Sequence, residues 1–343
     1  MPYMTESDRM HGDQDLGQRR RVVFHTGFMK TGSTLLQRSV FPELSDTALY
    51  SFDRSPFVPL MKRVRLAGPF DDLDPIVREV QGMIAASTHG LQLFSYEALT
   101  GWFLWNHNDF GRMTDVLHDI APDGHVLLVL RRQDGLLESL YKQVLHTGHA
   151  NSPEGYCNWR DGEFGHYQSP ARANVDVRVY NFDAFYRAYE RRFGTGRVHV
   201  VAFEWLKTDP DRFRSALEDC LQRPVTIPEG HRSNVGFGPR ASAIARHLNP
   251  LFRMPHREGG VIPYHPFRPW LDRRGGGGAL QKTVTAFDNC FDPRRLLQRG
   301  MLARPGGHVF DAELREGIMD LHRAGNRALD ERLGLGLGKL GYY

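Results

Sequence analysis

Apolar runs of strand length alternate along the chain with apolar residues at helical spacing. The continuous apolar run at 126–130 is typical of a strand buried on both faces of a parallel sheet. Strands separated by amphipathic helices predict an α/β fold with a doubly wound parallel sheet. Asp74 and Asp209, each followed by proline, are predicted helix N-caps. The predicted strands are 22–24, 49–52, 91–96, 126–130, 175–180 and 198–203. The predicted helices begin near residue 35 and include 74–84, 110–120, 134–146, 209–221 and 311–333.

Two long segments, 148–174 and 249–278, interrupt this alternation without a clear pattern of their own. Loops of such length inside a compact domain are usually functional or disordered. No shift in composition marks a domain boundary. The sequence therefore predicts a single domain over 20–343 with two long insertions, preceded by a loose polar tail at 1–19.

Composition narrows the function classes only slightly. The 343 residues are 41% hydrophobic and 24% charged, with a formal net charge of +4. That charge, without a long run of lysine or arginine, is too weak to indicate a nucleic-acid partner. The three cysteines form no C-x-x-C pair, which argues against structural zinc and a disulfide framework and favours a reducing, cytoplasmic location. The sequence shows no secretory signal or membrane-length apolar stretch, and it leaves the oligomeric state open.

The segment after the first predicted strand has the pattern of an anion cradle. It runs from a short apolar strand through a glycine-bearing turn into the start of a helix, where free N–H groups and the helix dipole favour a phosphate. Lys30 adds a full positive charge. The other residues predicted to bind here are Thr31, Gly32, Ser33 and Thr34.

The position of the glycine distinguishes this turn from the phosphate loop of ATP- and GTP-binding enzymes. That loop reads G-x-x-x-x-G-K-[ST], with glycine directly before lysine. Here Met29 precedes Lys30, and Gly32 follows it. We also find no carboxylate in the position that would hold magnesium on this loop. A kinase or NTPase is therefore the less favoured alternative.

A second candidate anion site follows the strand predicted at 126–130. Arg131 ends that strand, and Ser139 lies in the helix that comes next. Ligands of open α/β sheets bind beyond the carboxyl ends of the strands, where an arginine can fork onto a phosphate. The alternative is a structural arginine paired with Asp134 or Glu138, beside a serine bonded to its own backbone.

Together, the two motifs resemble those of the sulfotransferase family, which uses 3′-phosphoadenosine 5′-phosphosulfate (PAPS). Lys30-Thr31-Gly32-Ser33-Thr34 is similar to the family's 5′-phosphosulfate loop, and Arg131 with Ser139 and Tyr141 to its 3′-phosphate motif. Softer matches to bacterial, carbohydrate-type members lie in the segments 203–207, 324–329 and 341–343. The resemblance implies a P-loop-like parallel sheet, PAPS as donor, 3′-phosphoadenosine 5′-phosphate (PAP) as product and no metal.

The resemblance also implies roles for individual residues. Lys30 would neutralise the charge that develops on the bridging oxygen, and Ser33 and Thr34 would donate to the 5′-phosphate. Sulfotransferases that act on sugars have a glutamate base after a strand, and Glu97 stands in a similar place. Its alternative role is structural, as a cap or an ion-pair partner. Histidine is the base in many cytosolic members, so the other candidates are His25, His146 and His149.

The rest of the predicted site concerns the lid and the acceptor. Arg273-Arg274 before a run of glycines resembles a late element that wraps the 3′-phosphate, or is simply a flexible loop. The insertions 148–174 and 249–278 are expected to shape the site of a small-molecule, glycan or lipid-linked hydroxyl acceptor. Their aromatic residues suit such an acceptor but could equally pack the loops onto the core. A nucleotide-binding protein without catalytic activity is the remaining alternative. The aromatic residues concerned are Tyr156, Trp159, Tyr167, Phe252, Tyr264, Phe267 and Trp270.

Overall fold

The computed structural model of the chain contains a five-stranded parallel sheet with the strand order β2-β3-β1-β4-β7. It describes residues 20–51, 55–228, 237–253, 260–263 and 307–343. The sheet strands are β1 (Arg21–His25), β2 (Thr47–Tyr50), β3 (Leu91–Ser95), β4 (His125–Leu130) and β7 (Val198–Ala202). The remaining strands form two-stranded ribbons: β5 (Trp159–Arg160) with β6 (Glu163–Phe164), and β8 (Phe252–Arg253) with β9 (Ile262–Pro263).

Helices connect the parallel strands. The first, α1 (Ser33–Leu35), continues as a wider π-type turn to Val40 and a 3₁₀ turn to Glu43. The others are α2 (Phe57–Leu66), α3 (Asp74–Ala86), α4 (Phe110–Ile120), α5 (Gln133–His146), α6 (Pro153–Cys157), α7 (Phe182–Phe193), α8 (Trp205–Thr208), α9 (Pro210–Leu221), α10 (Pro239–Leu248) and α11 (Ala312–Leu333). Within the described ranges, no helix is both long and apolar enough to cross a membrane.

The register of the sheet brings four connections to one edge. In the centre, His25 of β1 lies opposite Ser95 of β3 and Leu127 of β4. Because all five strands are parallel, the segments that follow β1, β3, β4 and β7 leave from their carboxyl ends. Ligands of open α/β sheets bind at that edge. The predicted residues Lys30, Glu97 and Arg131 all lie in these segments.

The core is built from the fully buried central strands and the helices packed on them. All five apolar residues of β4 are inaccessible to solvent. Helix α7 packs an aromatic face against β4 and β7, where Phe193 contacts Phe24 of β1. Burial of large aromatic side chains contributes strongly to the stability of such a core. The sheet edge that carries the candidate site is therefore fixed by a well-packed interior.

The predicted α/β fold is confirmed, and two local predictions are wrong. The segment 175–180 is not a strand, because Val177–Tyr180 forms a 3₁₀ turn capped by Asp176, whose side chain accepts from the Arg178 N–H. Such a local hydrogen bond competes with strand pairing. Asp74 is the first residue of α3 rather than its cap. Asp209 does cap α9, by accepting from the Arg212 N–H.

The predicted insertions are only partly within the described residues. The first, 148–174, is less irregular than its sequence indicates, because it contains α6 and the β5–β6 ribbon. The tail at 1–19, Phe52, Arg273, Arg274 and the three aromatic residues Tyr264, Phe267 and Trp270 lie outside the described residues.

Candidate active site

The loop after β1 is held in a tight conformation with two backbone positions in the left-handed region. Lys30 adopts the left-handed region with φ 70°, which is uncommon for a residue with a side chain, and Gly32 follows with φ 87°. A Cβ atom on Gly32 would lie 2.9 Å from the Phe203 ring, so the loop requires glycine there. The Thr31 hydroxyl is buried and donates to the Phe28 carbonyl at 2.5 Å, which closes the loop. Thr31 thus braces the loop.

The Lys30 side chain extends from this loop to helix α5. Its Nζ donates to Gln143 Oε1 at 2.7 Å. Burial lowers the pKa of Lys30, Glu97 opposes that effect, and Arg131 adds to it. The ammonium is therefore close enough to both groups to respond to their charges. Gln143, which the sequence analysis did not single out, is 113 positions away along the chain.

Ser33 and Glu97 contact each other across the site. The Ser33 hydroxyl donates to Glu97 Oε1 at 2.9 Å. Glu97 begins a 3₁₀ turn directly after β3, and Ser33 opens α1 after the loop. Thr34 is exposed, and its hydroxyl makes no hydrogen bond to any described residue. The predicted base and the predicted anion-binding serine are therefore direct neighbours.

Arg131 connects the two predicted anion sites. Its guanidinium donates to the Lys30 carbonyl at 3.0 Å and lies 5.4 Å from the centre of the Phe203 ring. Burial lowers the pKa of Arg131, while Glu204 and Glu138 act in the opposite direction from a distance. Among the described residues, no carboxylate lies within 4 Å of it. A mostly buried guanidinium without a counter-ion favours an anionic ligand.

The carboxylates that could neutralise Arg131 are bonded to other cations. Asp134 accepts from Arg132 at 2.7 Å and from Arg315 of α11 at 2.6 Å. Glu138 accepts from Lys142 at 2.7 Å. The predicted alternative, in which Arg131 pairs with Asp134 or Glu138, is therefore not what the structure contains. Arg132, not Arg131, is the structural arginine of this pair.

One side of α5 lies next to Lys30 and Arg131. Gly135, Ser139 and Gln143 follow one another at intervals of four residues, which places them along one side of a helix. A Cβ atom on Gly135 would lie 3.4 Å from Arg131 Nε, and Gln143 accepts from Lys30 Nζ. Ser139 stands between them, partly exposed and with a hydroxyl that bonds no described residue. Ser139 is therefore flanked by both cations along this face.

The corner between β4 and α5 is braced by residues far away in the sequence. Glu204 accepts from the Arg132 N–H at 3.0 Å and from the Tyr342 hydroxyl at 2.7 Å. Gln133 and Asn326 exchange amide hydrogen bonds of 2.8 and 3.0 Å. These contacts fix the position from which Arg131 leaves β4. Glu204, Asn326 and Tyr342 lie in the segments 203–207, 324–329 and 341–343, which the sequence analysis had singled out. The sequence did not indicate that these segments contact one another.

The candidate histidines occupy three different environments. His25 is fully buried, bonds Ser95 Oγ through Nδ1 at 2.7 Å and has a pKa lowered by burial to about 3. His146 stacks on Phe237 at a centroid distance of 3.9 Å. His149 follows α5, where its carbonyl accepts from Asn249. A neutral, enclosed His25 belongs to the core, whereas the other two lie near the last turn of α5.

The aromatic residues of the 148–174 insertion pack it onto the domain. Tyr156 is fully buried. The Trp159 ring lies so close to Gly317 of α11 that a Cβ atom there would be 2.7 Å away. The Tyr167 hydroxyl donates to the Leu104 carbonyl at 2.8 Å, which brings the insertion to the segment after Glu97. Tyr156 therefore lies in the interior, Trp159 packs against α11 while partly buried, and Tyr167 reaches the segment that follows Glu97.

Comparisons with known proteins give a distant structural likeness. No protein-family model matches the chain, and no curated protein matches it significantly. Among solved structures, it is similar to a sulfotransferase from Alicyclobacillus acidocaldarius, with 16% identity over 83% of this chain and 98% of that chain and a TM-score of 0.39. A likeness this loose carries no weight for function. Within the described residues, no group of three or more His, Cys, Asp or Glu side chains could hold a metal ion.

Proposed function

We propose that this chain transfers a sulfuryl group from PAPS to a hydroxyl acceptor. The observation that carries the proposal is the unpaired guanidinium of Arg131, bonded to the Lys30 carbonyl. PAPS carries one anionic group at its 3′ position and another at its 5′ position. A donor of this shape needs two neighbouring cationic sites, and Arg131 and Lys30 supply them on either side of Ser139.

The loop after β1 fits the 5′ end of such a donor. Lys30 and Gly32, both with positive φ, shape the turn that leads into the helical segment starting at Ser33. A turn of this kind directs N–H groups towards an anion. Thr34 is exposed at the same place and free to donate to a phosphate oxygen. The buried Thr31 hydroxyl instead keeps the loop closed.

The 3′ end of the donor fits the face of α5 that Arg131 approaches. The guanidinium can fork onto a phosphate, and the free Ser139 hydroxyl lies about one helical turn further along. Arg274, which we also propose as a contact to this phosphate, lies outside the described residues. The 3′-phosphate would supply the counter-charge that Arg131 lacks within the protein.

The contact between Ser33 and Glu97 supports Glu97 as the general base of this reaction. When Ser33 donates to the 5′-phosphate instead, Glu97 is free to accept the proton of the acceptor hydroxyl. The acceptor oxygen then forms its bond to sulfur as the bond between sulfur and the bridging oxygen breaks. Lys30 neutralises the charge on that departing oxygen, and PAP is the leaving group. The atoms and charges of the in-line displacement balance without another reactant.

The direct test is calorimetric titration of the protein with PAP and, separately, with ATP and magnesium. We expect PAP to bind with higher affinity than ATP with magnesium. The reason is that the proposed site has two separate anion positions, which match the 3′ and 5′ groups of PAP. Preferential binding of ATP with magnesium would overturn the proposal in favour of a kinase or NTPase. If PAP binds, an acceptor screen with radiolabelled donor follows. Absence of transfer to every acceptor class would leave a nucleotide-binding protein without catalytic activity.

A further inference from the structure

A second unpaired arginine lies beside the candidate active site. Arg65, near the end of α2, places its guanidinium 4.5 Å from the centre of the Trp102 ring and 5.6 Å from that of Trp105. Its NH1 group lies 3.4 Å from the Tyr96 hydroxyl. Cation–π contacts of this kind hold a guanidinium in place without neutralising its charge. Arg65, Tyr96, Trp102 and Trp105 are called the Arg65 cluster below.

The charge of Arg65 has no counter-ion in the described part of the chain. No carboxylate lies within 4 Å of the guanidinium there, and its Nε atom is buried without a hydrogen-bond partner. The nearby Asp109 accepts from the Trp102 N–H at 2.8 Å instead of pairing with Arg65. The end of α2 is held by a different arginine, Arg112, which donates to the Ala67 carbonyl. Arg65 is therefore not required to anchor the helix to which it belongs.

The cluster lies next to the proposed base. Tyr96 directly precedes Glu97, and both follow β3 at the carboxyl edge of the sheet. Burial raises the pKa of Tyr96, Arg65 lowers it, and Glu97 raises it further. Both charged groups therefore lie near the Tyr96 hydroxyl. The ring of Trp102 and that of Trp105 remain partly exposed. On the other side, Tyr167 bonds the Leu104 carbonyl, so the 148–174 insertion borders the cluster.

We propose that the Arg65 cluster binds a carboxylate carried by the acceptor, and hence that the acceptor is an anionic ring compound. The inference rests on the proposed function and names its substrate class. The guanidinium can form two parallel hydrogen bonds to a carboxylate. The partly exposed indole rings provide apolar surface for the ring of the acceptor. The acceptor hydroxyl would then be presented to Glu97, and the negative charge of the acceptor would be offset by Arg65.

Binding of two matched ligand pairs tests the proposal without the donor. The first pair is para-nitrophenyl glucuronide and para-nitrophenyl glucoside, which differ in a sugar carboxylate. The second is para-hydroxyphenylacetate and its amide, which differ in a carboxylate on a phenol. Affinities are measured by calorimetry without nucleotide, on the wild type and on Arg65→Met, Arg65→Lys and Arg63→Met. Arg63 is an exposed arginine of the same helix and serves as the matched control.

We expect the carboxylate member of at least one pair to bind about tenfold more tightly to the wild type, as for a charge-assisted hydrogen bond. Arg65→Met should remove this preference, Arg65→Lys should retain part of it, and Arg63→Met should leave it unchanged. In the wild type, the preference should also fall as salt is added. The pair that shows the preference identifies the carboxylate as one on a sugar or one on a phenol.

Two results would overturn the proposal. One is equal binding, or no binding, of both members of both pairs to the wild type. The other is a preference that persists in Arg65→Met. Failure here is distinct from failure of the proposed function, because PAP binding is measured separately and does not involve Arg65. If Arg65→Met does not fold, Arg65→Lys decides the question, because a preference equal to that of the wild type in Arg65→Lys would show that the guanidinium does not bind the carboxylate.

Discussion

The guanidinium of Arg131 donates to the main-chain carbonyl of Lys30 across 3.0 Å, although 101 positions separate the two residues. This contact joins the end of β4 to the loop after β1. Among the described residues, no carboxylate lies within 4 Å of this guanidinium. The protein thus keeps a buried cation at a cost in stability, which is a common feature of binding sites.

Arg131→Met should weaken PAP binding without destabilising the fold. We expect the affinity for PAP to fall by about 10- to 100-fold, since a charge-assisted contact is lost. The free energy of unfolding should stay the same or rise, because methionine buries no unpaired charge. Calorimetry and urea unfolding measure the two effects.

The neighbouring arginine provides the control for that experiment. Arg132→Met removes a partner of buried Asp134 and should lower the free energy of unfolding by about 1–3 kcal/mol. A large loss of stability in Arg131→Met would show that Arg131, too, is structural.

Glu97→Gln should stop sulfuryl transfer while leaving the donor bound. Loss of a general base lowers kcat by about 10²- to 10⁴-fold. PAP affinity should not fall, because in the proposed complex Ser33 donates to the 5′-phosphate and Glu97 faces the acceptor. Glu43→Gln, at an exposed position, is the matched control. Transfer at the wild-type rate in Glu97→Gln would turn attention to His146 and His149.

Gly32→Ala should disrupt the loop after β1. The new Cβ atom would meet the Phe203 ring at 2.9 Å, and φ 87° disfavours any side chain, by about 1–2 kcal/mol. We expect PAP affinity to fall by at least about tenfold. Adding Phe203→Leu should recover part of the loss by relieving the contact. Gly111→Ala in α4, where a Cβ atom would meet nothing within 4 Å, should not reduce affinity.

Tyr342→Phe should destabilise the corner between β4 and α5. The change removes the hydrogen bond to Glu204 and leaves a carboxylate oxygen without its buried donor, at a cost of about 1–3 kcal/mol in the free energy of unfolding. Tyr343→Phe is the matched control, because the oxygen that loses its hydroxyl donor, Asp330 Oδ2, retains the Gly338 N–H. Equal urea midpoints for Tyr342→Phe and the wild type would contradict the role assigned to this bond.

Acid should destabilise the protein through its buried histidines. Burial lowers the pKa of His25 to about 3 and that of His107 to about 4. In the unfolded chain these residues bind protons near pH 6.5, whereas in the folded chain they stay neutral. Their contribution to the free energy of unfolding is therefore greatest above pH 6.5 and is lost as the pH falls towards the folded-state pKa values. Between pH 6.5 and 5, each histidine should lower the free energy of unfolding by about 2 kcal/mol. Urea unfolding of His107→Gln should show a smaller pH dependence than that of the wild type.

The sequence predicted the fold because its strands are long, apolar and separated by amphipathic helices. The four strongest strand patterns became β1, β3, β4 and β7. The strand predicted at 175–180 was wrong because the apolar residues of this segment are buried against helices and not in the sheet. His322 of α11 bonds the Val177 carbonyl there, a contact between residues 145 positions apart that no local pattern contains.

The site was predictable where its residues belong to local motifs. Lys30, Ser33 and Arg131 stand next to strand ends and could be identified from the sequence. Gln143 could not, because its role depends on how α5 crosses the loop. Likewise, Arg131 does not pair with Asp134 because Asp134 accepts a hydrogen bond from Arg315, which lies 181 positions away in the sequence. The roles of all these residues in binding and catalysis remain predictions.

The braces at the corner between β4 and α5 have a consequence for the order in which the protein folds. Arg131 is synthesised early, but its position depends on Arg315, Asn326 and Tyr342, which follow nearly 200 residues later. Contacts of such long range form late. On the ribosome, the five strands of the parallel sheet and the helices between them can therefore assemble while the anion site is still incomplete. We therefore expect a nascent chain to acquire its sheet first and the proposed anion site only after residue 342 has been released.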